Sequence, residues 1–397
     1  MTAKLPLAGF RILSAEQYGA GPYGTMFLAQ MGAEVIKIEP PRIGDTARAV
    51  GPHFLRTGES LYFQSFNLNK RSLTLDLNTP EGKDVLRRLA ASSDAMVNNL
   101  RGDLPERIGL TYAHLKDANP ALVCAHLSAY GRDNERTRWP GYDYLMQAEA
   151  GWLSLTGSPD APPTRAGLSL VDFITGTIMT IGLLGALLDA KRSGQGRDVD
   201  VDLLSAAIHQ TSYPAVWYLN EGDVTQRVER SAHPSVTPSQ MFRAADGWVF
   251  VMAQLPKFWD ALVKRIERPE LAGDPRFVTP ADRLANRGAL ATILDGVFEQ
   301  KPVSHWVELL AGHIPVSPVY GLDQALDNPY LETTRMIDTV SHPDREQLRV
   351  LASPIRFDGE RLPNRAAPLL GADTDQILAE AGFDAIEITS LKEKGVI

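Results

Sequence analysis

Phe10-Arg-Ile-Leu-Ser14, Gly19-Ala-Gly-Pro-Tyr-Gly24 and Glu34-Val-Ile-Lys-Ile-Glu39 are successive pieces of one stretch, and their order decides the fold. The first and third are short apolar runs of strand length, and between them the residues from Tyr23 to Met31 repeat apolar side chains at helical spacing. A glycine-rich turn joins the first strand to the helix. The stretch therefore predicts a βαβ unit, whose crossover sets its two strands parallel in one sheet.

The alternation continues outward from there. Ser72-Leu-Thr-Leu-Asp-Leu77 predicts a strand, Thr79 an N-cap and Pro80 the start of a helix running to about Ala91. Ala95-Met-Val-Asn98 and Ala121-Leu-Val-Cys-Ala-His126 predict two further strands. A long helix follows Asp172, then the turn Ser193-Gly-Gln-Gly196 and a strand over Asp198–Asp202. Strands alternating with helices predict an α/β chain with a largely parallel sheet and helices on both faces.

At about Pro234 the pattern changes. Pro238–Arg243 and Trp248–Met252 flank Asp246-Gly247, a hairpin signal, and helices are predicted around Phe258–Ile266 and Ala289–Phe298. This section reads as a smaller α+β lobe. Pro315–Tyr320, the strand region Met336–Pro354 and a helix over Asp373–Ala381 then return to α/β material. The expected division is a large lobe with its linker over 1–224, a small lobe over 225–325 and a return to the large lobe over 326–397, so that both chain ends build the large lobe.

Composition removes several functional classes. A chain of 397 residues that is 44% hydrophobic and 22% charged suits two or three packed lobes and neither disorder nor a coiled coil. The apolar run Ile174–Leu188 is interrupted by Thr175, Gly176, Thr177, Thr180, Gly182 and Gly185, so it predicts a buried helix and no membrane partner. A net charge of −8 without a basic tract argues against a nucleic-acid partner. The eight histidines include no His-x-x-x-His pair and have no partner cysteines, so no metal is expected. Met1-Thr-Ala-Lys-Leu-Pro6 has no apolar signal core, and the single cysteine, Cys124, reads as a buried small hydrophobe. A cytoplasmic location is expected. Local arginines such as Arg42, Arg48, Arg71, Arg101 and Arg107 still allow a small anionic ligand.

Gly19-x-Gly21-x-x-Gly24 has the spacing of a dinucleotide-binding turn, and Glu39 ends the next strand where a ribose-binding acid would stand. Two observations oppose a nicotinamide enzyme: Pro22 removes a backbone N–H from the loop, and no hydride-transfer constellation is evident. The same turn also suits tight packing between strand and helix, or the approach of a mononucleotide-like ligand such as CoA. In Gly167-Leu-Ser-Leu-Val-Asp172-Phe-Ile-Thr-Gly176 one acid stands at the entrance of the long apolar helix. The helix dipole and unpaired N–H groups there would keep it ionised, as a nucleophile or base or simply as an Asp N-cap.

From this point the chain resembles the family III CoA transferases, the CaiB/BaiF type that includes formyl-CoA and carnitine CoA transferases. The resemblance is carried by Ala20-Gly-Pro22, Ile36-Lys-Ile-Glu39, Phe66-Asn-Leu-Asn-Lys-Arg-Ser72, Asn99 with Arg107-Ile-Gly109, Gly141-Tyr-Asp143 with Gln147, Leu170-Val-Asp172, Ser193-Gly-Gln-Gly196 and Pro368–Asp375, all in the family's order. It implies a large Rossmann-like lobe plus a smaller lobe, and an interlocked homodimer with the active site between subunits. It implies CoA transfer from an acyl-CoA donor to a carboxylic acid acceptor, with coenzyme A as substrate and no permanently bound cofactor. Asp172 would be the nucleophile, passing through a mixed anhydride and an aspartyl-CoA thioester. Gly19, Ala20, Leu75, Asn78, Asn99, Leu100, Arg107, Tyr142 and Asp143 would surround the CoA, with Arg107 meeting its phosphates.

The chain departs from the family in three places. Pro40 stands where relatives carry an arginine after the Ile-Lys-Ile-Glu strand, which leaves Arg42 or Arg48 to supply that phosphate contact. Gly19 replaces a glutamine, with Gln17 two residues earlier. Ser231–Met241 has no glycine, unlike the acceptor loop of the oxalate enzymes, so oxalate is not the expected acceptor; His233 and Arg243 lie where an acceptor carboxylate would be read. The related α-methylacyl-CoA racemases use a histidine in the Gly-Tyr-Asp region, and Tyr142 in its place is a poor base near neutral pH.

Overall fold

The structure is a computed structural model that describes residues 5–56 and 59–397, so the first four residues of the N-terminal reading lie outside it. Strands β1 (Arg11–Ala15) and β2 (Glu34–Glu39) flank helix α1 (Ala20–Gln30), and β3 (Arg71–Thr74) follows. Helix α2 (Pro80–Ala90) has the Thr79 hydroxyl accepting from the Gly82 N–H at 3.0 Å. Next come β4 (Ala95–Asn98), β5 (Val123–Ser128), α3 (Asp143–Glu149), α4 (Leu170–Ser193), β6 (Asp198–Asp202) and α5 (Leu203–Gln210).

All six strands pair in parallel, in the order β3-β2-β1-β4-β5-β6. β1, β4 and β5 are buried on both faces, as parallel strands covered by helices must be, and Cys124 lies in β5 without exposure. The chain runs outward from β1 to β3 and then returns to place β4 on the other side of β1. In open parallel sheets of this order, ligands sit in the crevice outside the carboxyl ends of the two strands at the reversal. Here those are β1 and β4.

Three local differences from the sequence reading have physical reasons. α1 begins at Ala20 rather than Tyr23, with Pro22 in its first turn, where no N–H is needed. β3 stops at Thr74 because Asp76 turns its N–H to the Val396 carbonyl. α4 was expected to be buried, yet only the face carrying Val171, Thr175, Met179, Leu183 and Leu187 is. Ile181 and Leu188 on the other side are 66% and 67% exposed. By length and composition alone α4 could cross a membrane; its buried face packs on α1, β5, β6 and α5.

The chain divides into two compact units. One holds the described part of Met1–Ala150, with Gly167–Ser212 and Tyr330–Ile397. The other holds Gly151–Ala166 and Tyr213–Pro329, so it takes an extra segment and starts earlier than position 225. Arg227 donates to the Pro162 carbonyl at 3.0 Å, which ties that segment to the rest of the second unit.

In the second unit, β7 (Ser239–Arg243), β8 (Trp248–Met252) and β9 (Val316–Pro318) form an antiparallel sheet in the order β9-β8-β7. Helices α6 (Pro256–Arg265), α7 (Arg287–Phe298) and α8 (Val303–Leu310) share a core with it around Phe242, Val251, Trp259, Phe298 and Trp306.

The C-terminal return adds the hairpin β10 (Ile337–His342) and β11 (Arg345–Leu351), then α9 (Thr374–Glu380) and α10 (Ala385–Glu393). Ile377, Leu378, Ile388 and Leu391 share a core with Leu73 and Leu86. Asp373 and Thr374 accept the N–H groups of Ser72 and Thr74, covering the open edge at β3.

Candidate active site

The turn after β1 is fixed from several directions. Lys37 on β2 donates to the Glu16 carbonyl at 2.8 Å, and Asp45 accepts the Tyr18 N–H at 3.1 Å. Asn99, just past β4, accepts the Gln17 N–H at 2.8 Å and donates to the Gln17 carbonyl at 2.6 Å. Asn99 thus ties the ends of the two reversal strands together, and this spends its side-chain amide on the protein itself. Tyr18 is held at φ 60°, a left-handed conformation that these bonds must support.

Beneath the turn lies a buried group of charges. Lys70 pairs with Glu16 at 2.8 Å and Lys37 with Asp45 at 2.8 Å, all four side chains being fully buried. Burial alone would raise the Glu16 carboxyl, but Lys70 and Lys37 bring it below its ordinary value. Burial lowers Lys70 to about 8, with Glu16 partly offsetting the effect. Glu39, the acid a ribose would need, is 1% exposed and accepts from both Arg48 Nε and Nη2, from Ser72 and from the Asp45 N–H. The nicotinamide reading therefore loses its ribose ligand. The same pairing removes Arg48 as a phosphate contact, since it is also paired with Glu59 and lies over Phe63.

The three glycines of the turn each meet a different neighbour. A Cβ on Gly19 would stand 2.9 Å from Asp172 Oδ2, one on Gly21 3.0 Å from Asn99 Cβ, and one on Gly24 2.4 Å from the Gly176 carbonyl. In return, a Cβ on Gly176 would stand 2.2 Å from the Ala20 carbonyl. α1 and α4 thus touch backbone to backbone. Of the readings left open for this motif, close packing is the one the geometry displays, with helix against helix rather than helix against strand. Its result is to place the first turn of α4 beside the reversal crevice.

Asp172 is the third residue of α4, and Ser169 holds the N-cap position, so the acid is not a cap. Its own N–H is accepted by Asp143 Oδ2 at 3.0 Å, and Gln147 donates both to Asp143 Oδ1 and to the Leu168 carbonyl. Gly141-Tyr-Asp143 with Gln147 is therefore the fitting that seats the entrance of α4. The Asp172 carboxylate makes no hydrogen bond with another described residue. Burial, and then the neighbouring Asp143, push it up to about 7. This reverses the expectation that the helix end keeps it readily ionised. A carboxylate of raised basicity with free lone pairs is a stronger nucleophile once it has lost its proton.

A cavity of about 160 Å³ opens onto Asp172 and is lined by Gln17, Gly19, Ala20, Asn99, Leu100 and Tyr142, with Leu127, Trp139 and Leu203 among its apolar walls. A second, of about 230 Å³, shares Gln17 and Leu100 with the first and adds Pro40, Leu75, Asn78, Leu104 and Arg107. Of the residues expected around CoA, eight thus line two adjoining cavities at the reversal crevice. Asp143 instead lies behind Asp172, 4% exposed. Asn78 donates its side-chain amide to Asp76 at 3.0 Å, and Leu75 is 2% exposed. Arg42 stands outside both walls, 3.7 Å from where a Cβ on Gly395 would be.

Arg71 is paired with Glu34 and Glu380, and Arg101 with Asp103. Arg107 forms no ion pair with another described residue, and a shallow basin beside it is walled by Arg101, Asp103, Glu106 and Arg138. Arg138 was not singled out in the sequence. It follows a run of charged loop residues with no periodic signal to mark it. His126 shares hydrogen bonds with Asn98 at 2.7 Å and Asp198 at 2.9 Å, a structural tie across β4, β5 and β6. His233 and Arg243 lie in the second unit, His233 stacked on Tyr213 and Arg243 over Trp248.

Comparison with known proteins agrees in kind. The model described as CoA-transferase family III matches residues 7–374. The succinyl-CoA:mesaconate CoA-transferase of Haloarcula hispanica is 32% identical, over 95% of this chain and 96% of that protein. The formyl-CoA:oxalate CoA-transferase of Streptomyces coelicolor is 32% identical over the full length of both. A crystal structure of a CAIB/BAIF family protein from Brucella suis superposes with a TM-score of 0.83 at 30% identity, covering 96% of this chain and all of that one.

Proposed function

Because the chain belongs to CoA-transferase family III, we propose that Asp172 is the covalent nucleophile with which this enzyme moves CoA from an acyl-CoA to a free carboxylic acid. The observation that carries the reading is the state of Asp172: at the wall of a ligand-sized crevice, free of side-chain partners among the described residues and raised to about 7.

Its carboxylate attacks the thioester carbonyl, the C–S bond breaks, and CoA thiolate leaves a mixed anhydride behind. The thiolate then attacks the Asp172 carbonyl carbon, which expels the donor acid and leaves an aspartyl-CoA thioester. The acceptor carboxylate attacks that thioester, releasing thiolate and forming a second anhydride. Thiolate attack on the acceptor's carbonyl gives the new acyl-CoA and restores the Asp172 carboxylate. Atoms and charge close over the cycle, and CoA enters and leaves as a substrate.

Asp143 holds the Asp172 backbone in place and raises the basicity of its carboxylate, while Arg107 is suited to the CoA phosphates as an arginine without an ion pair to another described residue at the junction of the cavities. Succinyl-CoA is the proposed donor, a choice supported by the name of the Haloarcula relative. The acceptor is proposed to be an acid other than oxalate, on the strength of the glycine-free Ser231–Met241 segment. A homodimer in the cytoplasm completes the reading.

The test is direct. The protein is incubated with succinyl-CoA, quenched, and the Asp172 peptide weighed, with hydroxylamine added to trap an activated acyl group. A CoA adduct or a hydroxamate on Asp172 is expected. If neither forms with any of several acyl-CoA donors, covalent transfer through this residue is abandoned.

A further inference from the structure

We infer that Gly19 is a specificity-determining residue: the room it leaves beside Asp172 Oδ2 admits acyl groups that carry an alkyl substituent on the carbon next to the carbonyl, so the acids this enzyme handles include 2-alkyl carboxylic acids. The inference rests on the proposed CoA-transferase reading and deepens it.

Gly19 is a glycine that its own backbone does not require. It stands at the N-cap of α1 with φ −101° and ψ −62°, a right-handed conformation open to other residues, and the position gains no side-chain cap bond. Gly24 and Gly176 differ, since a Cβ on either would strike a backbone carbonyl, at 2.4 Å and 2.2 Å. For a Cβ on Gly19 the three nearest atoms all belong to the Asp172 side chain: Oδ2 at 2.9 Å, Cγ at 3.7 Å and Cβ at 3.8 Å. What the missing side chain preserves is therefore one flank of the carboxylate.

That flank is the one a substrate uses. Gly19 and Asp172 line the same cavity of about 160 Å³, whereas Asp143 holds Asp172 from behind. When Oδ2 bonds to the acyl carbonyl carbon, and the C–S bond breaks with thiolate leaving, the next carbon of the acyl group lies two bonds from Oδ2 on the cavity side. A Cβ 2.9 Å from Oδ2 would compete for space with any group carried by that carbon. With no side chain there, a methyl-sized group fits. Leu127, Ala129, Trp139 and Leu203 make the nearby walls apolar, which favours an alkyl group over a charged one.

The experiment follows the rate at which the CoA adduct forms on the Asp172 peptide of the full-length protein. Two donors are compared: succinyl-CoA, and 2-methylsuccinyl-CoA with its methyl on the carbon next to the thioester carbonyl. Wild type is expected to react with both at rates within about threefold of each other, well short of the tenfold or more that a methyl without room would cost. Gly19→Ala crowds Asp172 and should slow both donors, but the methylated one by a further tenfold or so. A merely structural role for Gly19 would slow the two equally. The backbone conformation at Gly19 accepts alanine, so the variant is expected to fold, and its melting temperature checks this. The wild-type comparison stands as a test without any variant. A wild type slowed tenfold or more by the methyl, or a Gly19→Ala protein with an unchanged ratio, overturns the assignment while leaving the transferase reading intact. If neither donor forms an adduct, the covalent reading falls, and this inference with it.

Discussion

At the residue scale, the proposed chemistry turns on the Asp172 carboxylate, which makes no hydrogen bond with another described residue. Asp172→Ala should keep the fold, because the Asp143 bond goes to the backbone N–H of position 172 rather than to its side chain. It should lower kcat by at least about a thousandfold in any assayable CoA exchange, as loss of a covalent nucleophile does. The raised pKa of Asp172 has two consequences. Since only the ionised form attacks, kcat/KM should fall as pH drops below about 7. The same shift bears on stability with a definite sign. Below about 4 Asp172 is protonated in both the folded and the unfolded chain, and between about 4 and 7 the unfolded chain releases the proton while the folded one retains it. Folding is therefore penalised progressively over that window, and Asp172→Asn escapes the penalty. The melting temperature of Asp172→Asn minus that of wild type should grow from pH 4 to pH 8, on the order of a few degrees. A constant difference would mean that Asp172 is not desolvated. The position of Asp172 at the mouth of α4 was legible because it interrupts an apolar run at a helix entrance. Its state was not, because burial and the proximity of Asp143, 29 positions earlier, are properties of the packed chain.

At the scale of elements, the contact between α1 and α4 positions the site, and its cause is two glycines. Gly24→Ala would put a methyl 2.4 Å from the Gly176 carbonyl, which cannot move without displacing α4 and Asp172 with it. A loss of about 2 kcal/mol in unfolding free energy is expected from denaturant titration, the scale of overpacking in a close-packed contact. Activity should fall further than stability does, because the proposed nucleophile rides on the displaced helix. The strands and α2 were readable from apolar periodicity and from the Thr79-Pro80 start, since those are local signals. The glycine turn was visible, but its meaning was not: the spacing of Gly19, Gly21 and Gly24 says that something approaches closely, and only the fold reveals that it is Asp172, Asn99 and Gly176. The charges Glu16, Lys37, Asp45 and Lys70 escaped notice for a similar reason. Lys37 sits in an ordinary strand pattern, Ile-Lys-Ile, and a strand gives no sign that a lysine within it is buried against partners from two other segments. Asn99 was singled out in the sequence as a CoA neighbour, and only the fold reveals its bonds to Gln17. By clamping Gln17 at both its N–H and its carbonyl it should act as a positioning residue, so Asn99→Ala is expected to lower kcat about tenfold or more while CoA affinity changes less.

At the scale of the whole molecule, the outer face of α4 is one of the apolar surfaces left exposed among the described residues. Ile181 and Leu188 stand one heptad apart on the uncovered face of α4, and Ile208 on the adjoining α5 is 48% exposed. Gly185 lies between the first two, with open space where its Cβ would be, so the face is flat enough for another backbone to approach. An apolar helix face with a small residue at its centre loses free energy in water and gains it by packing, at about 25 cal/mol for each Å² covered. The dimer implied by the family resemblance would supply that cover, and α4 would then carry the nucleophile at its first turn and a subunit contact along its length. Light scattering on the eluted protein should accordingly give twice the chain mass of 43.5 kDa. Ile181→Glu, which buries a charge only if the face is covered, should shift the species toward the single-chain mass and weaken activity with it. A wild type that elutes at 43.5 kDa would remove the dimer from this account. An Ile181→Glu protein that remains dimeric would move the contact to another face and leave the exposed side of α4 facing solvent.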